Sequence, residues 1–224
     1  MKIILFGATG DVGSAALQAA ISRGHQVTAV ARKPQALGVI GPNVTPLALD
    51  LLDQPQAAAE AAKGHNLVIS ALRPPAGREA ELVPLTRIAL TAARQAGIPV
   101  LVTGGAATLK LADGSGHTVL SAPGFLPDGV RPIAEACAAQ DALLNAETEA
   151  QWTCLRPPAM LTTGPQTGSY RFGTGTLVTD AEGNSQISFA DFGAALLDLA
   201  EATRGSHRKL TVAWGAPAPA LAAG

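Results

Sequence analysis

The residues whose type and spacing most clearly indicate a chemical role are the glycines of the run GATGDVG, which extends from Gly7 to Gly13. This run follows a short apolar segment and precedes an alanine-rich stretch with helical spacing, which predicts a tight turn from a strand into a helix. Glycine permits the dihedral angles of such a turn, and its missing side chain lets backbone N–H groups at a helix N-terminus reach a phosphate. A glycine-rich turn with a purely steric role is the alternative. The strand–turn–helix setting favours a dinucleotide pyrophosphate site.

The end of the second predicted strand, 27–31, indicates which dinucleotide would bind. Arg32 and Lys33 follow this strand, and the sequence contains no Asp or Glu between Val12 and Leu49. NAD sites usually place an acidic residue here to bind the ribose, whereas NADP requires cationic donors for its 2′-phosphate. Two solvated surface residues are the alternative interpretation. The pattern favours NADP(H) over NAD(H).

The ends of the later predicted strands supply further candidate contacts. Asp50 closes the third strand, where it would reach the adenine edge or, equally, cap a helix. Leu72 and Arg73 end the fourth strand near the inner phosphate and ribose, and Thr103 begins a Thr-Gly-Gly run that leaves room over the nicotinamide; a structural turn is the alternative for each. We assign no catalytic residue and no metal ligand. The predicted cofactor-binding set is Gly7, Thr9, Gly10, Asp11, Val12, Gly13, Arg32, Lys33, Asp50, Leu51, Leu72, Arg73, Thr103, Gly104, Gly105, Pro158 and Ala159.

The whole chain alternates short β-branched runs with longer Ala/Leu-rich stretches of helical spacing. This alternation predicts a Rossmann-type α/β fold with a doubly wound parallel sheet. The predicted strands are 3–6, 27–31, 44–49, 67–71, 100–103 and 153–156. The predicted helices are 12–23, 55–63, 79–96, 132–149 and 189–202.

Two segments interrupt the alternation and are predicted to form a small substrate lobe. Residues 104–129 and 157–185 are rich in Gly, Ser, Pro and Thr, and both follow predicted strands. Long connections in compact domains are usually functional or disordered. We therefore expect a single domain over 1–214, with the Pro/Ala-rich residues 215–224 as a flexible tail.

Composition narrows the class of protein and its partners. The 224 residues are 47% hydrophobic and carry a formal net charge of -1, which favours a folded core and gives no basic surface for nucleic acid. No run approaches the roughly 18 apolar residues of a membrane span, so we expect no membrane partner. Cys137 and Cys154 support neither a disulfide framework nor a zinc site, which favours the cytoplasm.

Taken together, GATGDVG, ARKP, LDLLD, VTGGAATL and LRPPAM resemble the atypical short-chain dehydrogenase/reductases of the NAD(P)H-binding type. The resemblance extends to bacterial proteins labelled NADH-flavin reductases and to relatives of biliverdin reductase B. It covers nearly the whole chain, including the late run LVTDAEGNSQISFADFGAALLDLAE.

The resemblance implies roles for particular residues. The glycine turn at Gly7, Gly10 and Gly13 would hold the pyrophosphate, and Arg32 would bind the 2′-phosphate. The segment 157–160 would border the nicotinamide. The late run would return a helix and a strand that brace the substrate lobe.

The sequence departs from this pattern where a proton donor is expected. Complete short-chain dehydrogenases carry a YxxxK motif, in which the lysine lowers the pKa of the tyrosine. The only tyrosine is Tyr170, with Thr174 four residues later, and the sole acid around 131–140 is Glu135. Ala106 replaces the serine of biliverdin reductase B. His117 would reach a substrate from its long loop, or else be solvated.

Hydride transfer to a ketone requires a positioned acid, but a delocalised acceptor holds the developing charge itself and takes its proton from water. The sequence therefore favours an NADPH-dependent reductase of a planar conjugated small molecule, with FMN or FAD as substrate. A non-catalytic NADP(H)-sensing regulatory protein is the alternative, because the missing tyrosine fits it equally well. A sugar-nucleotide epimerase is disfavoured for the same reason. A monomer or a homodimer is expected.

Overall fold

A computed structural model describes residues 1–38, 41–202 and 207–215. Its eight-stranded sheet has the order β3-β2-β1-β4-β5-β6-β10-β8, and all neighbours are parallel except β8, which pairs antiparallel with β10. A second, two-stranded sheet pairs β7 with β9. The strands are β1 (Lys2–Phe6), β2 (Gln26–Ala31), β3 (Val44–Ala48), β4 (Leu67–Ser70), β5 (Val100–Thr103), β6 (Trp152–Arg156), β7 (Met160–Thr162), β8 (Tyr170–Gly173), β9 (Gln186–Ser188) and β10 (Arg208–Trp214).

Five α-helices in the described residues cover both faces of the large sheet. They are α1 (Asp11–Ser22), α2 (Pro55–Ala62), α3 (Leu82–Ala96), α4 (Arg131–Ala146) and α5 (Phe189–Ala202). Side chains alternate along β1, so that Ile3 and Leu5 pack with α1 and α5, while Ile4 and Phe6 pack on the side of α2, α3 and α4. This burial on both faces explains why the strands are continuously apolar. The predicted Rossmann-type α/β fold is confirmed.

Small residues set the spacing between the helices on the first face. A Cβ atom on Gly193 of α5 would lie 2.6 Å from the carbonyl carbon of Ala15 in α1. The two helix backbones therefore touch at a point where no side chain fits. Part of the alanine and glycine content of the chain serves this close packing, because protein interiors leave little unfilled volume.

All six predicted strands and all five predicted helices are present, with ends that differ by up to three residues from the prediction. The predicted helix 79–96 begins with a 3-10 turn at Glu79–Glu81 before α3. Strands β7, β8, β9 and β10 were not among the predicted strands. The late run that carries the resemblance contains β9 and nearly all of α5, and its bracing of a substrate lobe stays a prediction. The predicted tail, 215–224, lies outside the described residues beyond Gly215.

Asp191 joins the segment after β6 to the core. Its carboxylate, which has no exposed surface, accepts hydrogen bonds from the backbone N–H and hydroxyl of Thr167, from the N–H of Gly168 and from the indole of Trp214. Burial raises the pKa of Asp191, but these hydrogen bonds outweigh burial and leave the pKa below its ordinary value. The charged carboxylate therefore stabilises the fold.

We predict that Asp191→Asn lowers the free energy of unfolding by about 3 kcal/mol, because an amide nitrogen would face donors that need an acceptor. A group whose pKa is lowered by folding contributes stability above its unfolded pKa, about 3.9 for Asp, and loses it as pH falls through the folded pKa. The difference in the free energy of unfolding between wild type and variant should thus be largest above pH ~4 and shrink below it, as measured by urea denaturation. Asp113→Asn, at an exposed turn, is the control; an equal loss there would contradict the prediction.

Candidate functional site

A cavity of about 600 Å³ runs along the carboxyl ends of the parallel strands. It crosses the point between β1 and β4 where the strand order reverses, which is where open α/β sheets bind ligands. Gly7 follows β1 and Ala71 follows β4, and both residues line the cavity at this crossing. Its volume is in the range of small-molecule and cofactor sites.

The glycines of the N-terminal turn have different physical roles. Gly7 has a φ of 83°, and a Cβ there would lie 2.6 Å from the Ala71 carbonyl oxygen. A Cβ on Gly13 would lie 2.0 Å from the oxygen of Gly7. Both are therefore required by the fold itself. At Gly10 the nearest atom to an added Cβ is 3.6 Å away, so the protein's own packing does not explain this glycine.

The open position at Gly10 coincides with the N-terminus of α1. Gly10 is the N-cap of α1 and provides no side-chain cap to the first turn. The N–H groups of this turn therefore keep their capacity to bind an anion, and the missing side chain leaves room for it. This cradle fits the pyrophosphate of a dinucleotide.

Three guanidinium groups lie along the cavity wall although the whole chain is nearly neutral. Arg78 forms an ion pair with Glu81 at 2.6 Å, and this contact raises the pKa of Arg78. Arg32 and Arg73 are exposed and form no ion pair with any described residue. Their charge is therefore open to a ligand. Arg32 directly follows β2, as predicted.

The structure brings together 15 of the 17 residues predicted to bind the cofactor. Lys33 is exposed beyond the cavity wall, and Gly13 is buried behind it. Contact with a cofactor stays a prediction for all 17 residues. The residues that line the cavity are Gly7, Thr9, Gly10, Asp11, Val12, Arg32, Asp50, Leu51, Leu72, Arg73, Thr103, Gly104, Gly105, Pro158 and Ala159.

Two polar side chains in this set already form hydrogen bonds within the protein. Asp50 accepts a hydrogen bond at 3.0 Å from the N–H of Leu52 in the turn that follows β3, and it does not cap α2, whose N-cap is Gln54. The Thr103 hydroxyl donates to the carbonyl of Ser70 at 3.1 Å and so joins β5 to β4. Thr103 is therefore engaged as a donor, which leaves its end of the cavity with little acid–base capacity.

Helix α4 contributes a cavity wall that sequence reasoning missed. The residues that face the cavity recur every three or four positions, as Ile133, Ala134, Cys137 and Gln140, whereas Glu135 is exposed and outside the wall. The positions where a YxxxK pair would face a substrate thus hold apolar groups, a thiol and an amide. The sequence indicates this wall only through its helical spacing. Which residues point inward is decided by the rotation of α4 about its own axis relative to the sheet.

The two segments predicted to form a substrate lobe pack against each other. Leu109 and Val119 of segment 104–129 form a small buried cluster with Leu177 of segment 157–185. Arg156, at the end of β6, donates hydrogen bonds to the Thr108 hydroxyl in the first segment and to the Thr174 carbonyl in the second. One buried guanidinium therefore ties both segments to the sheet, and burial lowers its pKa.

The same two segments hold side chains that could contact an acceptor or donate a proton, and most of these lie outside the cavity wall. The Tyr170 hydroxyl donates to Asp198, and burial together with this carboxylate raises the pKa of Tyr170. Leu109 is a core residue, and His117 and Phe125 are exposed outside the cavity wall. Met160 lines the cavity with 58% of its surface exposed, so it remains available to a ligand.

The sheet order, the glycine turn and the cavity at the switch point define a Rossmann-type dinucleotide-binding protein. The chain belongs to the NAD(P)H-binding family, which it matches over residues 7–203. The family resemblance seen in the sequence is thereby confirmed, and NAD(P)H is the ligand class of the site.

Several relatives align along nearly the whole chain. The uncharacterised protein YwnB of Bacillus subtilis is 31% identical over 95% of this chain and 98% of its own. A structure from Burkholderia pseudomallei, provisionally named as an exported protein, is 36% identical with a TM-score of 0.83, over 96% of this chain and all of its own. A structure from Streptococcus pneumoniae, provisionally named an NADH-flavin reductase, is 27% identical with a TM-score of 0.80, over 96% of this chain and 99% of its own.

Two features are absent from the described part of the chain. No helix in it is both long and apolar enough to cross a bilayer. Within the same residues, no group of three or more His, Cys, Asp or Glu side chains is placed to hold a metal ion.

Cys137 is the titratable side chain of α4 that lines the cavity. Burial raises the pKa of its thiol to about 11, although the nearby Arg73 lowers it. A Cβ on Gly105 would lie 2.4 Å from its sulfur, so the thiol packs tightly against the turn after β5. At neutral pH it is a thiol and not a thiolate, and it is a weak acid.

We predict that iodoacetamide labels Cys137 slowly at pH 8, because only about a thousandth of a thiol with this pKa is ionised there. The labelling rate, followed by intact mass, should rise about tenfold per pH unit up to pH 10. The Cys137→Ala variant is the control, since Cys154 is fully buried with a pKa of about 12. Labelling at the rate of a free thiol would contradict the prediction.

Proposed function

We propose that this protein is an NADPH-dependent reductase of a flavin or another planar conjugated acceptor, and that it works without a tyrosine–lysine proton relay. The observation that carries the proposal is the composition of the cavity. One end has an anion cradle at Gly10 and an open guanidinium at Arg32, while the α4 wall of the other end presents Ile133, Ala134 and a neutral thiol. Such a site positions two flat molecules but lacks a strong acid.

The residues that line the cavity would hold the nucleotide in one orientation. The N–H groups after Gly10 would bind the pyrophosphate, and the segments that follow β5 and β6 would surround the nicotinamide. The reduced nicotinamide supplies a hydride when it is bound. The other predicted cofactor contacts, including Asp50, Leu72 and Arg73, are proposed to line its path.

The preference for NADP(H) over NAD(H) rests on Arg32. Its guanidinium is exposed at the cavity wall without a carboxylate partner among the described residues. The second strand ends without an acidic residue that would bind a free 2′-hydroxyl. A phosphate engaged by arginine gains charge-assisted, often bidentate, hydrogen bonds.

We predict that Arg32→Ala weakens NADPH binding roughly ten- to a hundredfold, the range expected for lost hydrogen bonds to a charged group. NADH binding, which involves no 2′-phosphate, should change less than about twofold. Calorimetric titration of both nucleotides measures the difference. Lys33→Ala is the matched control, because Lys33 lies beyond the cavity wall and its removal should weaken NADPH binding less. Equal affinities for both nucleotides, unaffected by Arg32→Ala, would overturn the preference.

The acceptor end suits a molecule that stabilises its own charge. Apolar side chains, among them Leu126, Val130 and Ile133, line this region, and Met160 is exposed at its surface. They can hold a ring by contact and exclude water from one face of it. Proximity of the two rings then contributes to the rate, while solvent supplies the proton to the reduced acceptor. FMN and FAD are proposed as substrates and not as resident cofactors, in line with the name of the streptococcal relative.

We predict that FMN or FAD raises the steady-state oxidation of NADPH above the flavin-free rate, because the cavity holds both rings without a proton donor. The measurement follows absorbance at 340 nm under anaerobic conditions, so that oxygen does not regenerate the flavin. The competing candidate is an NADP(H)-sensing regulatory protein, which the same lack of a donor on α4 favours. Tight binding of NADPH without turnover of flavins or quinones would reject the reductase and support the sensor.

The remaining expectations are proposals of the same kind. A single domain over 1–214 with an acceptor lobe from 104–129 and 157–185 is supported by the cluster of Leu109, Val119 and Leu177. The two free cysteines support a cytoplasmic protein, although one relative carries the provisional name of an exported protein. A monomer or a homodimer is proposed for the assembly.

A further inference from the structure

Gln140 is a buried amide on α4 that the proposed function does not use. It lines the cavity with only 2% of its surface exposed. Its Nε2 donates to the Thr86 hydroxyl at 2.9 Å and to the Thr103 carbonyl at 3.4 Å. A polar side chain held this deeply in a ligand cavity has a defined orientation, and that orientation decides which atom a ligand meets.

The orientation of the amide follows from the chemistry of its two partners. The Thr86 hydroxyl donates its single proton to the carbonyl of Leu82 at 2.8 Å, so it can only accept from Gln140. The Thr103 carbonyl is also an acceptor. Because both partners accept, the NH₂ group must face them, and the Oε1 atom of Gln140 must point the other way.

The Oε1 atom accepts no hydrogen bond from the described residues. It lies 3.8 Å from the place where a Cβ of Gly104 would be. Among those residues, the unpartnered polar side-chain atoms sealed from solvent belong to His65, Asp141, Thr153 and Thr211. The oxygen of Gln140 is not one of them and therefore remains open to the cavity beside the turn that follows β5.

We infer that Gln140 is a specificity-determining residue, whose Oε1 accepts a hydrogen bond from an amide-type N–H of a flat ligand. Two sources would supply this group: the carboxamide of the nicotinamide, and the imide or lactam N–H of an acceptor such as a flavin. The inference rests on the proposed function for the second source and on nucleotide binding for the first. A ligand without this N–H would cover a buried acceptor and leave it unpaired, which is the physical basis of strong discrimination.

The first arm of the test measures binding alone. Wild type is titrated with reduced NADP and with its 3-acetylpyridine analogue, in which a methyl group replaces the carboxamide NH₂. If the nicotinamide is the source, wild type should bind the analogue about tenfold more weakly, as expected for one lost hydrogen bond. The Gln140→Met variant should lose this discrimination, whereas Cys137→Ala, one turn earlier on the same cavity wall, should keep it.

The second arm compares kcat/KM for riboflavin and N3-methylriboflavin with NADPH as donor. If the acceptor is the source, wild type should prefer the N–H form about tenfold, and Gln140→Met should abolish that preference. Thermal unfolding in each case checks that the variant folds, and both wild-type comparisons remain informative if it does not. Discrimination below twofold in both arms, or discrimination that Gln140→Met retains, would overturn the inference. Discrimination in the first arm, without turnover of flavins or quinones, would reject the proposed reductase and support Gln140 as the carboxamide acceptor.

Discussion

The contact between Gly13 and the carbonyl oxygen of Gly7 is the constraint on which the site depends. A side chain at position 13 would place an atom 2.0 Å from that oxygen, so α1 starts as close to β1 as two backbones allow. Gly7 is held in the same way against the Ala71 carbonyl at the end of β4. These contacts direct the first turn of α1 at the strand edge where the sheet order reverses. Gly10 is then the glycine whose empty space the fold does not require, and it is the one proposed to face the nucleotide.

The same contacts explain how local features become a site. A helix N-terminus attracts anions weakly in water, but here it opens into a cavity next to Arg32 and Arg73, two guanidinium groups that form no ion pair with the described residues. The formal net charge of -1 gives no indication of this, because net charge averages over the whole surface. The attraction of a polyanionic nucleotide depends more on where the positive charges lie than on the total charge of the protein.

Sequence reasoning succeeded where the signal is local. The glycine spacing, the position of Arg32 after β2 and the apolar periodicity each depend on neighbouring residues. They predicted six of the eight strands of the large sheet, the five helices and most of the residues that line the cavity near Gly10. Strand β8 was missed because its half-buried residues gain their structure by pairing with β10, about forty residues later. Gln140 was missed because its orientation depends on how α4 is rotated relative to β5. It also depends on two hydrogen-bond acceptors, Thr86 and Thr103, which are distant from Gln140 in the sequence.

The absence of a proton donor at the acceptor end also has a local cause. Tyr170 lies at the edge of the sheet, where Asp198 holds its hydroxyl, and the inward positions of α4 are filled by Ile133, Ala134 and Cys137. In the proposed reductase, the cavity would bring a donor ring and an acceptor ring together without controlling the source of the proton. Such a site would be restricted to acceptors that tolerate slow protonation.

Arg156 has a consequence for how acceptor preference can change. Because one guanidinium bonds to both Thr108 and Thr174, and Leu109 packs on Leu177, the two segments proposed to form the acceptor lobe are held together although they are separate stretches of chain. A substitution in either stretch shifts the other through these contacts. Chimeras that import a different acceptor specificity must therefore exchange 104–129 and 157–185 as a pair, since a segment moved alone would lose half of its own core.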